Sequence, residues 1–279
     1  MRRSRKRALL AAGVILGLAV VLAAALDMRL KTVAYTVESE KLTGNVRLVL
    51  LTDLHAGRYG DRQAELLGEI DRQQPDAVLL GGDICDENAS FEPVEELLRG
   101  LGGYPCYYVT GNHEYWFADI QPVLELFRSY GVTVLEGTQD VIGVNGQLVR
   151  ICGVDDPFRE VYADTPHIAD RQLDALAASV DPGMFTVLLA HRPERLPDYA
   201  NRGFDLVLSG HAHGGQWRIP GLANGLYAPH QGWLPRYAGG EYELDGTRMI
   251  VSRGLARWDI PAPRVFNRPE LVVVDLVPR

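Results

Sequence analysis

The sequence predicts an α/β fold, a mixed-sheet core with helices outside it, preceded by one N-terminal transmembrane helix. Three observations predict it. Short aliphatic and β-branched runs alternate with amphipathic segments from residue 46 onward, the pattern of buried strands linked by helices. The middle of the chain changes to hairpin spacing around "VNGQ" at 144–147, which requires antiparallel pairs in the same core. Residues 8–26, "ALLAAGVILGLAVVLAAAL", carry no charge and no strongly polar side chain.

The elements follow in order. "VRLVLLT" (46–52) reads as a buried strand, and "DRQAELLGEIDRQQ" (61–74) as a helix stopped before Pro75. "DAVLLGG" (76–82) and "YPCYYVT" (104–110) are further strands. Between them residues 92–100 form a helix with Pro93 near its start. "ADIQPVLELFRSYG" (118–131) is a helix closed by glycine. A hairpin turns at Asn145-Gly146, a helix lies near 168–180, and a second near 193–202 follows the strand "MFTVLLA" (184–190). "FDLVLSG" (204–210), "TRMIVSRG" (247–254) and "ELVVVDL" (270–276) complete the strands.

The expected organisation is a basic segment at 1–7, an apolar anchor at 8–26, a connector with one short strand at 27–45, and a single domain at 46–279. Nineteen residues of helix span about 28 Å, near the thickness of a hydrocarbon core. Ala23 and Ala25 offer a signal-peptidase pattern, but the apolar run exceeds the ~7–15 residues of a signal core, which favours an uncleaved anchor. Five Lys/Arg in "MRRSRKR" precede the segment, while Arg29 and Lys31 follow it. The bias places the domain outside the cytoplasm, on a single-pass membrane protein. Removing residues 1–26 leaves 23 basic residues against 36 acidic ones, a net charge of −13. A surface that acidic excludes general binding of nucleic-acid backbones. Three cysteines without a CxxC form no disulfide framework. Cys106 and Cys152 fall in strands and read as buried, whereas Cys85 falls in an acidic loop and reads as more exposed.

Five of the seven histidines sit just after a buried strand, in "TDLHAG", "TGNHEYW", "LLAHRP" and "SGHAHGGQ". They are His55, His113, His191, His211 and His213. A further strand end, "LGGDICD", supplies Asp83. Strand ends are where α/β sheets present functional groups. With extended backbone, Asp53 and His55 point one way, as do His211 and His213, so each pair can grip one site. Imidazole, carboxylate and amide oxygen without thiolate suit Mn²⁺, Fe or Zn²⁺. Two such ions about 3.5–4 Å apart would clamp a phosphoryl group.

The blocks "DLH" (53–55), "GDICD" (82–86), "GNHE" (111–114), "AHRP" (190–193) and "GHAH" (210–213), in this order, resemble the calcineurin-like metallophosphoesterases. The likeness covers about residues 45–277. With "SGHAHGGQ", "SRGL" (252–255), "FNRPEL" (266–271) and the N-terminal apolar segment, it resembles the membrane-associated bacterial phosphodiesterase-like branch. The resemblance implies a four-layer α/β/β/α sandwich with two divalent metal ions, Mn²⁺ favoured. It implies that Asp53, His55, Asp83 and His213 hold one metal. Asp83 would bridge to the second, held also by Asn112, His191 and His211. His113 would act as general acid and Glu114 would orient it, with Asp86 supporting the loop. Hydrolysis of a phosphodiester or pyrophosphate in a lipid or cell-envelope substrate is the expected activity.

Some relatives in that branch cleave UDP-2,3-diacylglucosamine in lipid A synthesis, which is an alternative. That chemistry belongs on the cytoplasmic face, against the expected outward topology. A non-catalytic, metal-stabilised membrane interaction module is an alternative of another class. A metallo-β-lactamase motif is excluded, because its H-x-H-x-D-H would need Asp and His where Gly215 and Gln216 stand. His167 and His230 fall outside the blocks and read as ordinary surface residues, with a loop near the site as the alternative for His230 in "YAPHQGW". Tyr115-Trp116-Phe117, Trp217 and Trp233 either rim the site or pack into the core.

Overall fold

The computed structural model describes residues 2–257 and 262–279. Two six-stranded mixed sheets carry the fold. The first runs in the order Lys31–Ser39, Glu270–Pro278, Val46–Leu51, Ala77–Gly81, Cys106–Val109 and Thr133–Val134. The second runs Gly240–Leu244, Thr247–Val251, Leu206–Ser209, Phe185–Leu189, Gln147–Gly153 and Thr138–Val144. Central strands such as Ala77–Gly81 and Phe185–Leu189 are buried at every position. That is why they appear in the sequence as unbroken apolar runs rather than alternating ones.

The sheets pack face to face. Leu48, Leu50 and Leu79 of the first meet Val187, Leu189 and Leu208 of the second in one apolar cluster. The outer face of the first sheet is covered by helices Ala64–Gln73, Glu92–Gly100 and Gln121–Ser129, through Leu66, Ile70, Leu97 and Phe127. The outer face of the second is covered through Leu173 and Leu176 of Ile168–Ala178 and by Leu196. The layers are therefore helix, sheet, sheet, helix. Asn145 and Gly146 turn the hairpin with φ of 51° and 77°, the primed geometry that matches strand twist.

The structure corrects two expectations. Residues 27–45 are more than a connector: Lys31–Ser39 is a nine-residue strand pairing in parallel with Glu270–Pro278 along its whole length. Its side chains are largely half-buried or exposed, so it lacked the apolar run that marks central strands. Cys85 is fully buried, like Cys106 and Cys152. The N-terminal segment was expected to be an apolar anchor. Arg2–Ala25 is one helix, but among the described residues no helix is long and apolar enough to cross a membrane. Its first turns hold the basic residues and it ends at Ala25, so the uncharged part is about 27 Å long. Leu9, Leu10, Ile15, Leu16 and Leu22 are all more than half exposed. At its end Ala25 is buried, and Ala25 O accepts Phe266 N at 2.7 Å.

Candidate dinuclear metal site

The carboxyl edges of both sheets converge on one site. Asp53 and His55 follow Val46–Leu51, Asp83 follows Ala77–Gly81, and Asn112 and His113 follow Cys106–Val109. His191, and then His211 and His213, follow the two central strands of the second sheet. Pair alternation along an extended chain is not what orients them. Asp53, His55, Asp83, His211 and His213 have φ of 52°, 49°, 52°, 63° and 48°. Left-handed backbone at non-glycine residues is strained, and it persists where surrounding contacts over-determine it. Those contacts are present: Asp53 Oδ1 accepts His211 N at 2.9 Å, and Asp83 Oδ1 accepts His113 N at 2.9 Å. The neighbouring glycines are required by crowding. A Cβ on Gly210 would stand 2.6 Å from Asp53 Oδ2, and one on Gly111 would overlap Asp83 Oδ1.

Of the four groups of potential ligands among the described residues, the two with only buried members share one residue. Asp53, His55, Asp83 and His213 bring ligand atoms within 4.8 Å of one another, and so do Asp83, His191 and His211. Asn112 sits at the same edge, with its Oδ1 buried and unpartnered among the described residues. Asp53 Oδ2 and His211 Nδ1 are likewise buried without a hydrogen bond. Unsatisfied buried polar atoms cost about 1–3 kcal/mol each. Their convergence with imidazole and carboxylate is a donor set suited to divalent cations.

Backbone and carboxylates fix the imidazoles. His191 Nδ1 lies 2.7 Å from Gly81 O, so it donates there and leaves Nε2 as the ligand atom, 3.1 Å from Asp83 Oδ2. Burial works against a charged His191, but Asp83 and Asp53 outweigh it and push its pKa up to about 10. This proton compensates the carboxylates that a cation would otherwise neutralise. His211 is driven the other way, by burial and then by Arg192, and is held neutral as a ligand must be.

Glu114 is placed differently from expectation. Its two oxygens accept the backbone N–H groups of Asp83, Ile84, Cys85 and Gly111 at 2.7–3.0 Å. Burial and then Asp83 push its pKa up to about 7. It therefore ties the Asp83 loop to the Asn112 loop and does not touch the His113 ring. That ring instead has Glu87 Oε2 at 3.3 Å and Asp86 Oδ2 at 3.6 Å from its Nδ1. Glu114→Ala, which strands four buried N–H groups, is expected to lower stability by roughly 3 kcal/mol or more. Denaturant unfolding of the metal-free chain measures this; an unchanged midpoint would remove the tying role.

Sequence reasoning missed several neighbours. Arg192 pairs with both oxygens of buried Asp156, and its Nη1 lies 3.1 Å from His211 Nε2 and 2.6 Å from His230 Nδ1. His230 thus reaches the site from the loop after Tyr227–Ala228, while His167 is exposed as expected. Arg192 was legible as part of "AHRP", but nothing in the spacing linked His230 to it. Asn267 Nδ2 donates to His213 O at 2.7 Å, and fully buried Arg264 lies beside His213. A cavity of about 380 Å³ opens over the group, lined by Asp83, His113, His213, Trp116, Tyr227 and His230. Of the uncertain aromatics, Tyr115 is core, Trp116 rims this cavity against His113, and Trp233 is 72% exposed.

The profile of the family described as "Calcineurin-like phosphoesterase" matches residues 46–215. An "Uncharacterized metallophosphoesterase" of Helicobacter pylori strain J99 is 32% identical over 248 residues, 86% of this chain and 62% of its own length. The chain thus spans about three fifths of that relative. A "Transmembrane protein with metallophosphoesterase domain" of Bos taurus is 31% identical, over 83% of this chain and 53% of that protein. Among solved structures, the NAD nucleotidase of Haemophilus influenzae is similar with a TM-score of 0.53 at 17% identity, over 77% of this chain and 51% of that one. That likeness concerns the fold alone. With the family profile over more than half the chain and a set of potential metal ligands at its strand ends, this chain belongs to the calcineurin-like phosphoesterase family.

Proposed function

We propose that the chain is a hydrolase of phosphate esters that works with two divalent cations and acts on a phosphodiester or pyrophosphate in a membrane or envelope substrate. The observation that carries this reading is the shared Asp83, which belongs to both ligand groups. Asp53, His55, Asp83 and His213 would hold one cation, and Asp83, Asn112, His191 and His211 the other. Such cations neutralise phosphoryl oxygens and make water nucleophilic near neutral pH.

The remaining chemistry falls to the chain. His113, tethered at Nδ1 by Glu87, is positioned to give a proton from its other ring nitrogen to the departing oxygen. Arg192, held rigid by Asp156, presents fixed positive charge beside His211 and His230. Trp116 and Tyr227 wall the cavity with apolar surface and limit water around the scissile bond. The exposed apolar N-terminal helix and the relatives named as transmembrane proteins support attachment to a membrane, with the domain outside the cytoplasm.

The test is hydrolysis by the full chain in detergent, stripped of metal and reloaded with Mn²⁺. A chromogenic phosphodiester is compared with its matching monoester. Metal-dependent turnover with the diester preferred is expected. Two bound metals without turnover on either ester or on a pyrophosphate would reject the catalytic reading in favour of a binding module.

A further inference from the structure

A basic cleft lies at the foot of the N-terminal helix and shares no lining residue with the cavity over the ligand groups. It has a volume of about 210 Å³ and is lined by Lys31, Arg218, Arg253, Phe266, Arg268 and Glu270. Four cations face one lining carboxylate. Outside residues 1–26 the chain carries a net charge of −13, so this concentration of positive charge runs against the rest of the domain. Asp27 offsets part of it, pairing with Arg29 at 2.8 Å and Arg268 at 3.4 Å. Glu270 is buried, and Arg253 N donates to its Oε1 at 2.9 Å. These acids leave Lys31 and Arg218 without a carboxylate within ion-pair distance among the described residues.

Arg218 shows the imbalance most directly. Its Nε is buried and makes no hydrogen bond among the described residues. Its Nη1 reaches only Phe266 O, at 3.3 Å. Burial and then the neighbouring Arg253 hold the guanidinium below its ordinary pKa. Arg253 is 9% exposed and is held in place by Asn224 Oδ1 at 2.6 Å. A buried, unpartnered donor beside a fixed second guanidinium is an arrangement that receives an oxyanion.

The surroundings indicate which oxyanion. Phe266, in the cleft wall, donates its N–H to Ala25 O, the last residue of the exposed apolar helix. Arg218 N donates to Val265 O at 2.9 Å, which fastens the turn Ile219–Ala223 to the same segment. That turn carries Leu222 at 82% exposure and Ile219 at 43%. Apolar helix, apolar turn tip and basic cleft therefore meet around one stretch of chain, Val265–Phe266. Basic residues at the base of an apolar helix meet the headgroup layer of a bilayer.

We propose that the Lys31–Arg218–Arg253–Arg268 cleft binds the phosphate headgroup of an anionic glycerophospholipid. The lipid chains would lie along the N-terminal helix and the Leu222 tip. The choice of a lipid over a free anion rests on the membrane reading of that helix; the need for an anion rests on the cleft itself.

The experiment uses the full chain in a non-ionic detergent, titrated with phosphatidylglycerol or phosphatidylcholine and read by native mass spectrometry. One saturable phosphatidylglycerol adduct is expected, with little phosphatidylcholine binding. Lys31→Gln and Arg218→Gln are each expected to weaken it about fivefold, and the double variant about thirtyfold. Both side chains lie at the surface or half-buried, and circular dichroism of each variant confirms its fold. Equal binding of the two lipids, or affinity unchanged in the double variant, overturns the site. Displacement of the lipid by millimolar inorganic phosphate overturns the lipid assignment and makes the cleft a free-phosphate site. Flotation with phosphatidylcholine vesicles reads the helix anchor separately. The adduct is also measured without metal, so failure of the hydrolase reading leaves this result independent.

Discussion

His113→Ala is expected to lower kcat by about 10²–10⁴-fold, the usual range for removing a general acid, while two equivalents of metal stay bound. The residue stands outside the two ligand groups that share Asp83, although with His55 and Asp86 it forms a further group whose atoms lie within 4.8 Å of one another. Its ring stands at the cavity wall, with Glu87 and Asp86 at its Nδ1 and Trp116 packed 3.9 Å away, centroid to centroid. Loss of the ring therefore removes a proton donor without dismantling the ligand set. The measurement is steady-state kinetics on the preferred ester together with metal content by mass spectrometry. A substrate whose leaving group needs no proton, such as a nitrophenyl ester, should lose less than an alkyl ester. Equal losses on both would mean that His113 supports the metals rather than the leaving group. Unchanged turnover on both would remove it from the mechanism.

Asp83→Ala is expected to have the larger effect: both metals lost and turnover reduced by more than about 10⁴-fold. Asp83 belongs to both ligand groups, its Oδ1 accepts His113 N, and its Oδ2 faces His191 Nε2 at 3.1 Å. Its removal strips a shared carboxylate and also loosens the loop that carries His113. By contrast, His55→Ala touches only the group of Asp53, Asp83 and His213 among those two. Retention of one metal in Asp83→Ala would show that the two groups are independent, and would reject the shared-ligand arrangement. Differential loss is read by titrating Mn²⁺ into each apoprotein.

The local signal was strong where burial was complete. Strands such as Ala77–Gly81 and Phe185–Leu189 lie inside on both faces, so the chain there has no choice but an unbroken apolar run. The edge strand Lys31–Ser39 pairs over nine positions, yet the sequence showed only one short strand within a connector. Half its neighbours are solvent, so its composition is that of a connector. Cys85 failed for a related reason. Its acidic neighbours suggested a surface loop, but the loop folds inward, where Glu114 accepts the Cys85 N–H.

The candidate ligand residues were named by the sequence alone, from the strand-end blocks and the family resemblance those blocks carry. Aspartate, asparagine and histidine after successive buried strands, spaced by glycines that tolerate crowding, admit few uses other than holding cations. Tertiary structure alone decided how those residues face one another. Asp53, His55, Asp83, His211 and His213 adopt left-handed backbone, held by Asp53 and Asp83 across loops from both sheets, and no periodicity encodes that. Structure alone also decided which carboxylate serves His113 and which ties the loops. Glu114 is adjacent in sequence, yet its side chain turns toward buried amides, and Glu87 arrives from another strand end. His230, Arg264 and Asn267 likewise reach the site through loops far along the chain. Sequence spacing reports local direction of the chain. Contacts between loops depend on where the sheets bring their ends together, and that is settled only when the whole core packs.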